Sequence, residues 1–273
     1  MEDRVNGCGY LMRVLGSMSL LVIGATPALG HGTAVSPVSR VYNVYNTNLE
    51  FENGPLDFEL ADNAVALDGT SSYYTWNEVS RNIPEAVNAG LPEGFDYSPW
   101  VPDGHLASGG RVEGNYSGRH YEGLDQASDQ WPTTPVTAGE TIEVDFLATA
   151  AHDPSVWDVW MTTEDWDPNT ALNWDQMEFL GRPDATLVSG HSGVSGHAGH
   201  GGSGHYYFDV TIPADREGHH VLWIAWQRDD PVGEVFFSTS DVFVTNSIPE
   251  PATAAFLLWP VLGAMATRRR SRG

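Results

Sequence analysis

Alternating apolar and polar residues in the second half of the chain most constrain its fold. In the segment 141–147 every second residue is apolar, which is the period-two pattern of a half-buried β-strand. Three further runs rich in β-branched and aromatic residues are 206–212, 220–226 and 235–244. Because these short runs occur without a long helical period, the sequence predicts an all-β protein built as a β-sandwich.

The segment 42–102 has a different character, since it mixes glycine, proline, asparagine and aromatic residues without a strand pattern. We predict a long loop with short helical pieces here. A loop of this length in a compact domain usually has a function. A further short helix is predicted at Asp167-Pro168, where the acid can serve as N-cap and the proline as the first helical residue.

The first 30 residues have the features of a secretory signal. A basic start precedes an apolar run over 14–25, and the small residues Ala28 and Gly30 come just before His31. The apolar run is shorter than the ~20 residues needed to span a bilayer. We therefore predict that residues 1–30 are a signal peptide and that the chain is secreted. The alternative is an uncut N-terminal tail, which would leave His31 inside the chain.

A second sorting signal is predicted at the C-terminal end. Residues 249–251 read Pro-Glu-Pro, and an apolar stretch over 252–267 is followed by four arginines within 268–272. This order resembles the PEP-CTERM sorting signal of bacterial surface and exported proteins, which implies that the tail 247–273 is removed by a processing enzyme. The alternative is a C-terminal anchor whose arginines stay on the cytoplasmic side. Either reading makes the domain between the signals extracellular or associated with the cell surface.

Charge and cysteine content narrow the possible functions. The chain has 36 acidic and 13 basic residues, a formal net charge of −23, and no lysine. Such a chain repels phosphate groups, so we exclude nucleic acid and anionic membranes as partners. The single cysteine, Cys8, lies in the predicted signal peptide. The remaining domain, residues 31–246, therefore has neither a disulfide nor a thiolate metal ligand.

His31 becomes the first residue of the mature domain if the predicted cut takes place. An N-terminal histidine offers a free amine and an imidazole nitrogen, and this two-nitrogen chelate suits copper. The amine has a reference pKa of about 7.7–8.0, so it loses its proton readily near neutral pH when a metal competes for it. The sequence thus predicts part of a copper site at the start of the domain.

Several short segments occur in an order that is typical of one enzyme family. They are HGTAVSPVSR (31–40), PDGHLAS (102–108), AAH (150–152), WDPN (166–169), GHHVL (218–222) and GEVFFSTSDV (233–242). Together they resemble the bacterial lytic polysaccharide monooxygenases of auxiliary activity family 10, formerly described as chitin-binding proteins. The resemblance implies a fibronectin III/immunoglobulin-like β-sandwich with a flat copper-bearing face, and it places the long insertion of loops and short helices after the first strand.

The resemblance also assigns roles to individual residues. It implies that His31 binds copper through its amine and its ring, and that His152 supplies the third nitrogen. Ala150 would shape access to the metal, Phe236 would be the apolar axial neighbour, and Glu234 would orient the oxygen species. Without the resemblance, each of these residues has a simpler interpretation: His152 as a surface histidine, Phe236 as a core residue and Glu234 as a solvated acid.

The activity implied by the resemblance is oxidative. An external electron donor and hydrogen peroxide or dioxygen would serve to hydroxylate C1 or C4 of a β-1,4 linkage in crystalline cellulose or chitin. We expect a monomeric enzyme whose polysaccharide contacts come from Tyr73, Tyr74 and Trp76, although these aromatic residues fit equally well as anchors of the loop. The pattern around Glu234 is closer to relatives that act on cellulose, but the choice between chitin and cellulose, like that between C1 and C4, stays open.

Three other functions stay open at this point. A periplasmic copper-binding carrier can also use an N-terminal histidine, and a non-catalytic polysaccharide-binding surface protein would bind without copper. A glycoside hydrolase would need a pair of carboxylates that the sequence does not single out. The histidine-rich segment 190–205 fits a solvated linker or a flexible metal-capturing loop. Relatives often carry cysteine at Val44 and Thr239, so a disulfide that is usual in the family is missing.

Overall fold

The fold is taken from a computed structural model that describes residues 31–48, 58–189 and 203–246. The predicted signal peptide, the predicted sorting tail and most of the histidine-rich segment lie outside the described residues. Across the three described ranges, the helices are too short or too polar to cross a membrane.

Strands make up the frame of the described chain. They are β1 (His31–Ser36), β2 (Ser80–Asn82), β3 (Thr134–Thr137), β4 (Thr141–Ala150), β5 (Ser155–Thr162), β6 (Met177–Gly181), β7 (Thr186–Ser189), β8 (Gly204–Thr211), β9 (Gly218–Arg228) and β10 (Glu234–Thr245). One sheet has four strands in the order β1-β4-β8-β7. The other sheet has six strands. Five of them are adjacent in the order β2-β10-β9-β5-β6, and β3 pairs in parallel with the C-terminal part of β10. The predicted all-β sandwich is confirmed.

Short helices fill the insertion after β1, as predicted. They are α1 (Arg40–Asn48), α2 (Glu59–Asp68), α3 (Thr70–Tyr74) and α4 (Pro84–Asn88), with 3₁₀ turns at Trp76–Glu78 and Glu122–Asp125. A further 3₁₀ turn, Trp174–Gln176, lies between β5 and β6. The helix predicted at Asp167-Pro168 is wrong. The carboxylate of Asp167 accepts the backbone N–H of Asn169 at 2.9 Å, so this side chain closes a tight turn and does not cap a helix.

Strand β9 separates two apolar cores because both of its faces are buried. Leu222, Ile224 and Trp226 point between the two sheets, where they pack with Phe146 and Phe236. The alternate residues Val221, Trp223 and Ala225 point outward and pack against the insertion. The helical insertion thus covers a sheet face that would otherwise expose tryptophan, and burial of this face holds the insertion in place.

Candidate functional site

The strand pairing of β1 and β4 determines where the site lies. In this antiparallel register His31 is opposite Ala150, and a register irregularity separates His31 from Gly32. His152 follows two residues after Ala150, just beyond the end of β4. The two histidines predicted to bind copper, His31 and His152, therefore lie at the same end of the four-stranded sheet.

The His31 ring is buried between an aromatic ring and a carboxylate. The centroid of the Phe236 ring lies 6.0 Å from that of His31, at an interplanar angle of 62°. On another side, His31 Nε2 is 3.5 Å from Glu78 Oε1. Phe236 belongs to β10 and is itself fully buried, with Trp226 packed 5.1 Å behind it between ring centroids. The ring of His31 thus packs against an apolar side chain, and the Glu78 carboxylate lies beside it.

Glu78 is an acidic neighbour that sequence reasoning missed. Its Oε2 accepts a hydrogen bond from Arg119 at 2.7 Å. The contact with His31, aided by the guanidinium of Arg119, holds the pKa of Glu78 below its usual range although partial burial opposes this. Glu78 is therefore ionised at neutral pH and places a negative charge next to the ring of His31.

Hydrogen bonds hold the backbone of His152, and a carboxylate lies beside its ring. The Tyr206 hydroxyl accepts the backbone N–H of His152 at 3.0 Å and donates to its carbonyl at 2.9 Å. On the ring, Nε2 is 3.1 Å from Asp230 Oδ2. The second ring nitrogen, Nδ1, is buried and has no hydrogen-bond partner within the described ranges.

Glu234 lies at the start of β10 and is buried. Each of its two carboxylate oxygens accepts a hydrogen bond. Arg228 donates to Oε2 at 2.8 Å, and the Ser80 hydroxyl donates to Oε1 at 3.3 Å. Burial raises the pKa of Glu234 above its ordinary value, and Arg228 only partly offsets this rise. The carboxyl group is therefore able to hold a proton closer to neutral pH than a solvated glutamate.

The aromatic residues predicted to bind polysaccharide separate into two groups. Tyr73 and Trp76 are buried, so they cannot lie against a polysaccharide surface, and this part of the expectation is corrected. Tyr73 donates from its hydroxyl to Asp68 at 2.5 Å, and Trp76 packs edge-on against Tyr42. Both anchor the insertion, as the alternative interpretation held. Tyr74 keeps 41% of its surface exposed and is the one of the three that can contact a substrate.

The donor set fits a copper ion that is bound by nitrogen. Within the described ranges, no three His, Cys, Asp or Glu side chains converge in a way that would hold a metal. A chelate of two rings and one backbone amine would not appear in such a search, because the amine exists only after a cut before His31. Within the described ranges, Nδ1 of His152 is buried without a hydrogen-bond partner, so the protein leaves the hydrogen-bonding capacity of this ring only partly used. Imidazole and amine nitrogens are ligands that favour copper.

Arg228 and Asp230 are further residues that sequence reasoning missed. Arg228 ends a strand that is otherwise apolar for most of its length, and it is followed directly by two aspartates. The available signal was an arginine at the end of an apolar strand followed by carboxylates, because a charge in such a strand is retained inside a protein only when it is paired. The three-dimensional proximity of Asp230 to His152 could not be read from the sequence.

Comparisons with known proteins indicate the family of the chain. The sequence model of a family described as "Lytic polysaccharide mono-oxygenase, cellulose-degrading" matches residues 31–242. A lytic cellulose monooxygenase of Streptomyces ambofaciens is 33% identical over 234 residues, covering 85% of this chain and 57% of the relative. The chitin-binding protein CbpD of Pseudomonas aeruginosa is 27% identical over 244 residues, covering 89% of this chain and 53% of the relative. The chain thus spans a little over half the length of these curated relatives.

The fold of the chain is also similar to that of solved structures. A cellulose-active lytic polysaccharide monooxygenase, CelS2, solved in complex with copper, is similar with a TM-score of 0.61 and 27% identity, covering 80% of this chain and 100% of that chain. A lytic polysaccharide monooxygenase from Kitasatospora papulosa has a TM-score of 0.58 and 26% identity, covering 79% of this chain and 98% of that chain.

Proposed function

Since the chain belongs to the lytic polysaccharide monooxygenase family whose sequence model it matches over residues 31–242, we propose that it is a secreted, copper-dependent monooxygenase. It cleaves a β-1,4-linked polysaccharide oxidatively, with an external electron donor and hydrogen peroxide or dioxygen as co-substrates. The similarity of its sandwich to that of a copper-bound, cellulose-active relative supports both the cofactor and the reaction class.

The observation that carries the proposal is the register of β1 against β4. It brings His31 opposite Ala150, which precedes His152 by two residues, and this supports a shared site for the two histidines. His31, through its amine and ring, and His152, through its ring, would hold the copper ion. When bound, copper supplies the one-electron redox chemistry that activates the oxygen co-substrate.

The chain's own residues shape the surroundings of that ion. Phe236 has no donor atom, so it keeps one side of the His31 ring dry and adds no ligand. Ala150, directly opposite His31, is small enough to leave the other approach open. Glu234, whose pKa is raised by burial, holds or accepts a proton at a carboxylate oxygen beside the site.

Cellulose is the substrate that we propose first, with chitin as the alternative. The names of the Streptomyces relative and of CelS2 refer to cellulose, whereas CbpD is named for chitin. Tyr74 offers an exposed ring on the insertion that flanks the site, and an exposed ring is suited to lie on the apolar face of a sugar. Analysis of the products will identify the oxidised carbon as C1 or C4.

The terminal signals complete the proposal. The family match begins at His31, which supports removal of residues 1–30 by a signal peptidase and thereby the release of the amine. The Pro-Glu-Pro tail, residues 247–273, is proposed to retain the domain at the cell surface or to be removed during sorting. We propose that the domain 31–246 acts as a monomer.

The experiment that tests the function requires a defined N-terminus. The chain is expressed with residues 1–30, recovered after export, and checked by mass spectrometry for His31 as its first residue. It is loaded with copper, given a reductant and peroxide, and incubated with cellulose and with chitin. We expect oxidised oligosaccharides from one of the two polysaccharides, identified by mass spectrometry.

A matched control carries one extra methionine before His31. This residue converts the amine of His31 into a peptide amide, so the proposed chelate of His31 with His152 cannot form and product formation should be lost. Equal activity of the two forms would overturn the proposed copper site. Copper binding by the trimmed form without oxidised products from either polysaccharide would favour a copper carrier, and copper-independent binding to polysaccharide would favour a non-catalytic surface protein.

A further inference from the structure

Four buried hydroxyl groups connect the first strand, β1, and the turn that follows it to β10 in the other sheet. They belong to Thr33, Ser39, Ser238 and Ser240, each at most 1% exposed, and we call them the hydroxyl seam. Two of them lie in the first of the sequence segments that carry the family resemblance, and two lie in the last. The proposed function gives none of the four a role.

Strand β1 depends on such contacts because it is an edge strand. Among the described strands it pairs with β4 alone, so backbone groups on its other edge need partners of a different kind. The hydroxyl of Ser238 accepts the backbone N–H of Ala34 at 3.0 Å, and that of Ser240 donates to the carbonyl of Pro37 at 2.9 Å. Side chains of β10 therefore bind the open edge of β1 in place of a neighbouring strand.

The hydroxyl of Thr33 lies at the centre of the seam. It donates to Ser39 Oγ at 2.9 Å and therefore accepts the hydrogen of Ser238 Oγ, which is 3.1 Å away. Ser39 Oγ also accepts the backbone N–H of Tyr42 at 3.3 Å. Because a buried hydroxyl without a partner destabilises the fold, these bonds favour one position of β1 relative to β10.

The same two strands carry His31 and Phe236. On each strand, the ring residue is two positions away from the contact between Thr33 and Ser238, a distance of about 7 Å along the strand. The ring centroids of His31 and Phe236 are 6.0 Å apart. A change in the separation of the strands at Thr33 should therefore also change the distance between these two rings.

Building on the proposed function, we propose that Thr33 and Ser238 are positioning residues that hold the start of β1 against β10 and so keep His31 beside Phe236 before copper binds. After the proposed cut, no residue precedes His31, and the ends of a chain fray unless contacts hold them. A strand that is ordered in advance does not reduce the affinity for the ion by the entropic cost of ordering it.

Thr33→Val is the principal variant, because valine keeps the branched shape of threonine and removes the hydroxyl. Ser238→Ala removes the hydroxyl on the opposite strand, and it tests the same contact if Thr33→Val fails to fold. Thr33→Ser keeps the hydroxyl and loses only a methyl group, so it should retain the function of the seam. All variants are made in the full chain, recovered after export, and verified to begin with His31.

Thr162→Val is the matched control. Like Thr33, Thr162 is fully buried and its hydroxyl has two partners: it lies 3.0 Å from Nδ1 of His220 and accepts the backbone N–H of Val221 at 3.1 Å. It is the last residue of β5, a strand that pairs with β9 and β6 and not with β1 or β10. This variant reproduces the loss of a buried threonine hydroxyl without touching the seam.

The first measurement is hydrogen exchange of the backbone amides of residues 32–35, followed by NMR in the metal-free proteins. Loss of one hydrogen bond changes a local opening equilibrium roughly fivefold, so these amides should exchange about fivefold faster or more in Thr33→Val and Ser238→Ala. They should exchange at the parent rate in Thr33→Ser and Thr162→Val. The second measurement is the cupric electron paramagnetic resonance spectrum, which should shift in Thr33→Val and Ser238→Ala only.

Parent-like exchange in Thr33→Val and Ser238→Ala would overturn the inference, and so would an equal acceleration in Thr162→Val or Thr33→Ser. Faster exchange with an unchanged cupric spectrum would also overturn it, because His31 would then keep its place without the seam. If the unsubstituted protein itself does not bind Cu(II), the proposed function fails, whereas the exchange of the metal-free proteins still tests the seam. The two failures are therefore distinguishable.

Discussion

His31 lies directly opposite Ala150 across the pairing of β1 with β4. A backbone pairing of this kind places the Cα atoms of two residues about 4.5–5.5 Å apart, and it does so independently of any ligand. The position of the first predicted copper ligand is therefore a property of the sheet. Changes that shift β1 in this sheet should change metal binding, even where they leave both histidines in place.

Gly32 is the residue through which this dependence can be tested. A Cβ atom at this position would lie 2.6 Å from the carbonyl oxygen of Leu147 and 2.7 Å from the ring of Phe146. Since neither neighbour can retreat within a packed sheet, Gly32→Ala should displace the start of β1 and lower the free energy of unfolding by about 1–3 kcal/mol. Urea denaturation and Cu(II) titration measure both effects, and a variant with unaltered stability and affinity would show that β1 is not tightly packed here.

Glu234→Gln tests the proposed proton-handling role. The substitution preserves the size of the side chain but removes an ionisable group whose pKa burial has raised. Loss of a positioned acid or base commonly costs about 100-fold or more in rate. We therefore expect product formation to fall by about 100-fold while Cu(II) affinity changes little. Glu143→Gln, on an exposed position of β4, is the control and should retain full activity; equal rates in both variants would remove Glu234 from the mechanism.

Tyr74→Ala tests the proposed substrate contact. Tyr74 is 41% exposed on the insertion, and an aromatic contact of this kind is worth about 0.5–1.5 kcal/mol, so binding to cellulose should weaken by about 2-fold to 13-fold. Phe243→Ala provides the control because Phe243 is also an exposed ring, 47% accessible, at the opposite end of β10 from Phe236. A binding loss of the same size in both variants would indicate non-specific adsorption.

His220 should make the stability of the domain depend on pH. Burial, together with the neighbouring Arg216, lowers the pKa of His220 to about 4, whereas an unfolded histidine titrates near 6.5. The fold thus favours the neutral ring, so this contribution is complete above pH 6.5 and is lost as the pH falls from 6.5 to 4. The shift corresponds to about 3 kcal/mol.

Unfolding free energies of the parent protein and of His220→Gln, measured by urea denaturation between pH 7 and 4, check this expectation. Glutamine retains a group that can bond the Thr162 hydroxyl, which now lies 3.0 Å from the ring nitrogen of His220. The advantage of the parent over the variant should shrink as the solution is acidified. A constant difference between the two proteins across this range would show that folding leaves the pKa of His220 unchanged.

The chain order alone determined the sandwich and much of the candidate site. Alternation in 141–147 and 206–212 was sufficient to predict strands with one buried face, because the two faces of a strand are set by neighbouring positions in the chain. His31, His152 and Glu234 were identified from short segments, since residue type and order survive in a motif. The assignment of Tyr73 and Trp76 failed because exposure is not a local property: a tyrosine or tryptophan in a loop has the same sequence signature whether it faces a substrate or the core.

Only the tertiary structure decided which charged groups surround the predicted ligands. Glu78, Asp230 and Arg228 come from a turn in the insertion, a loop and the end of a central strand, and they meet near His31 and His152 because the two sheets and the insertion pack on shared apolar faces. Their distances, and the raised pKa of Glu234, follow from this packing and from the water it excludes. Sequence patterns record contacts within an element, whereas the electrostatic environment of a site is the sum of contacts between elements.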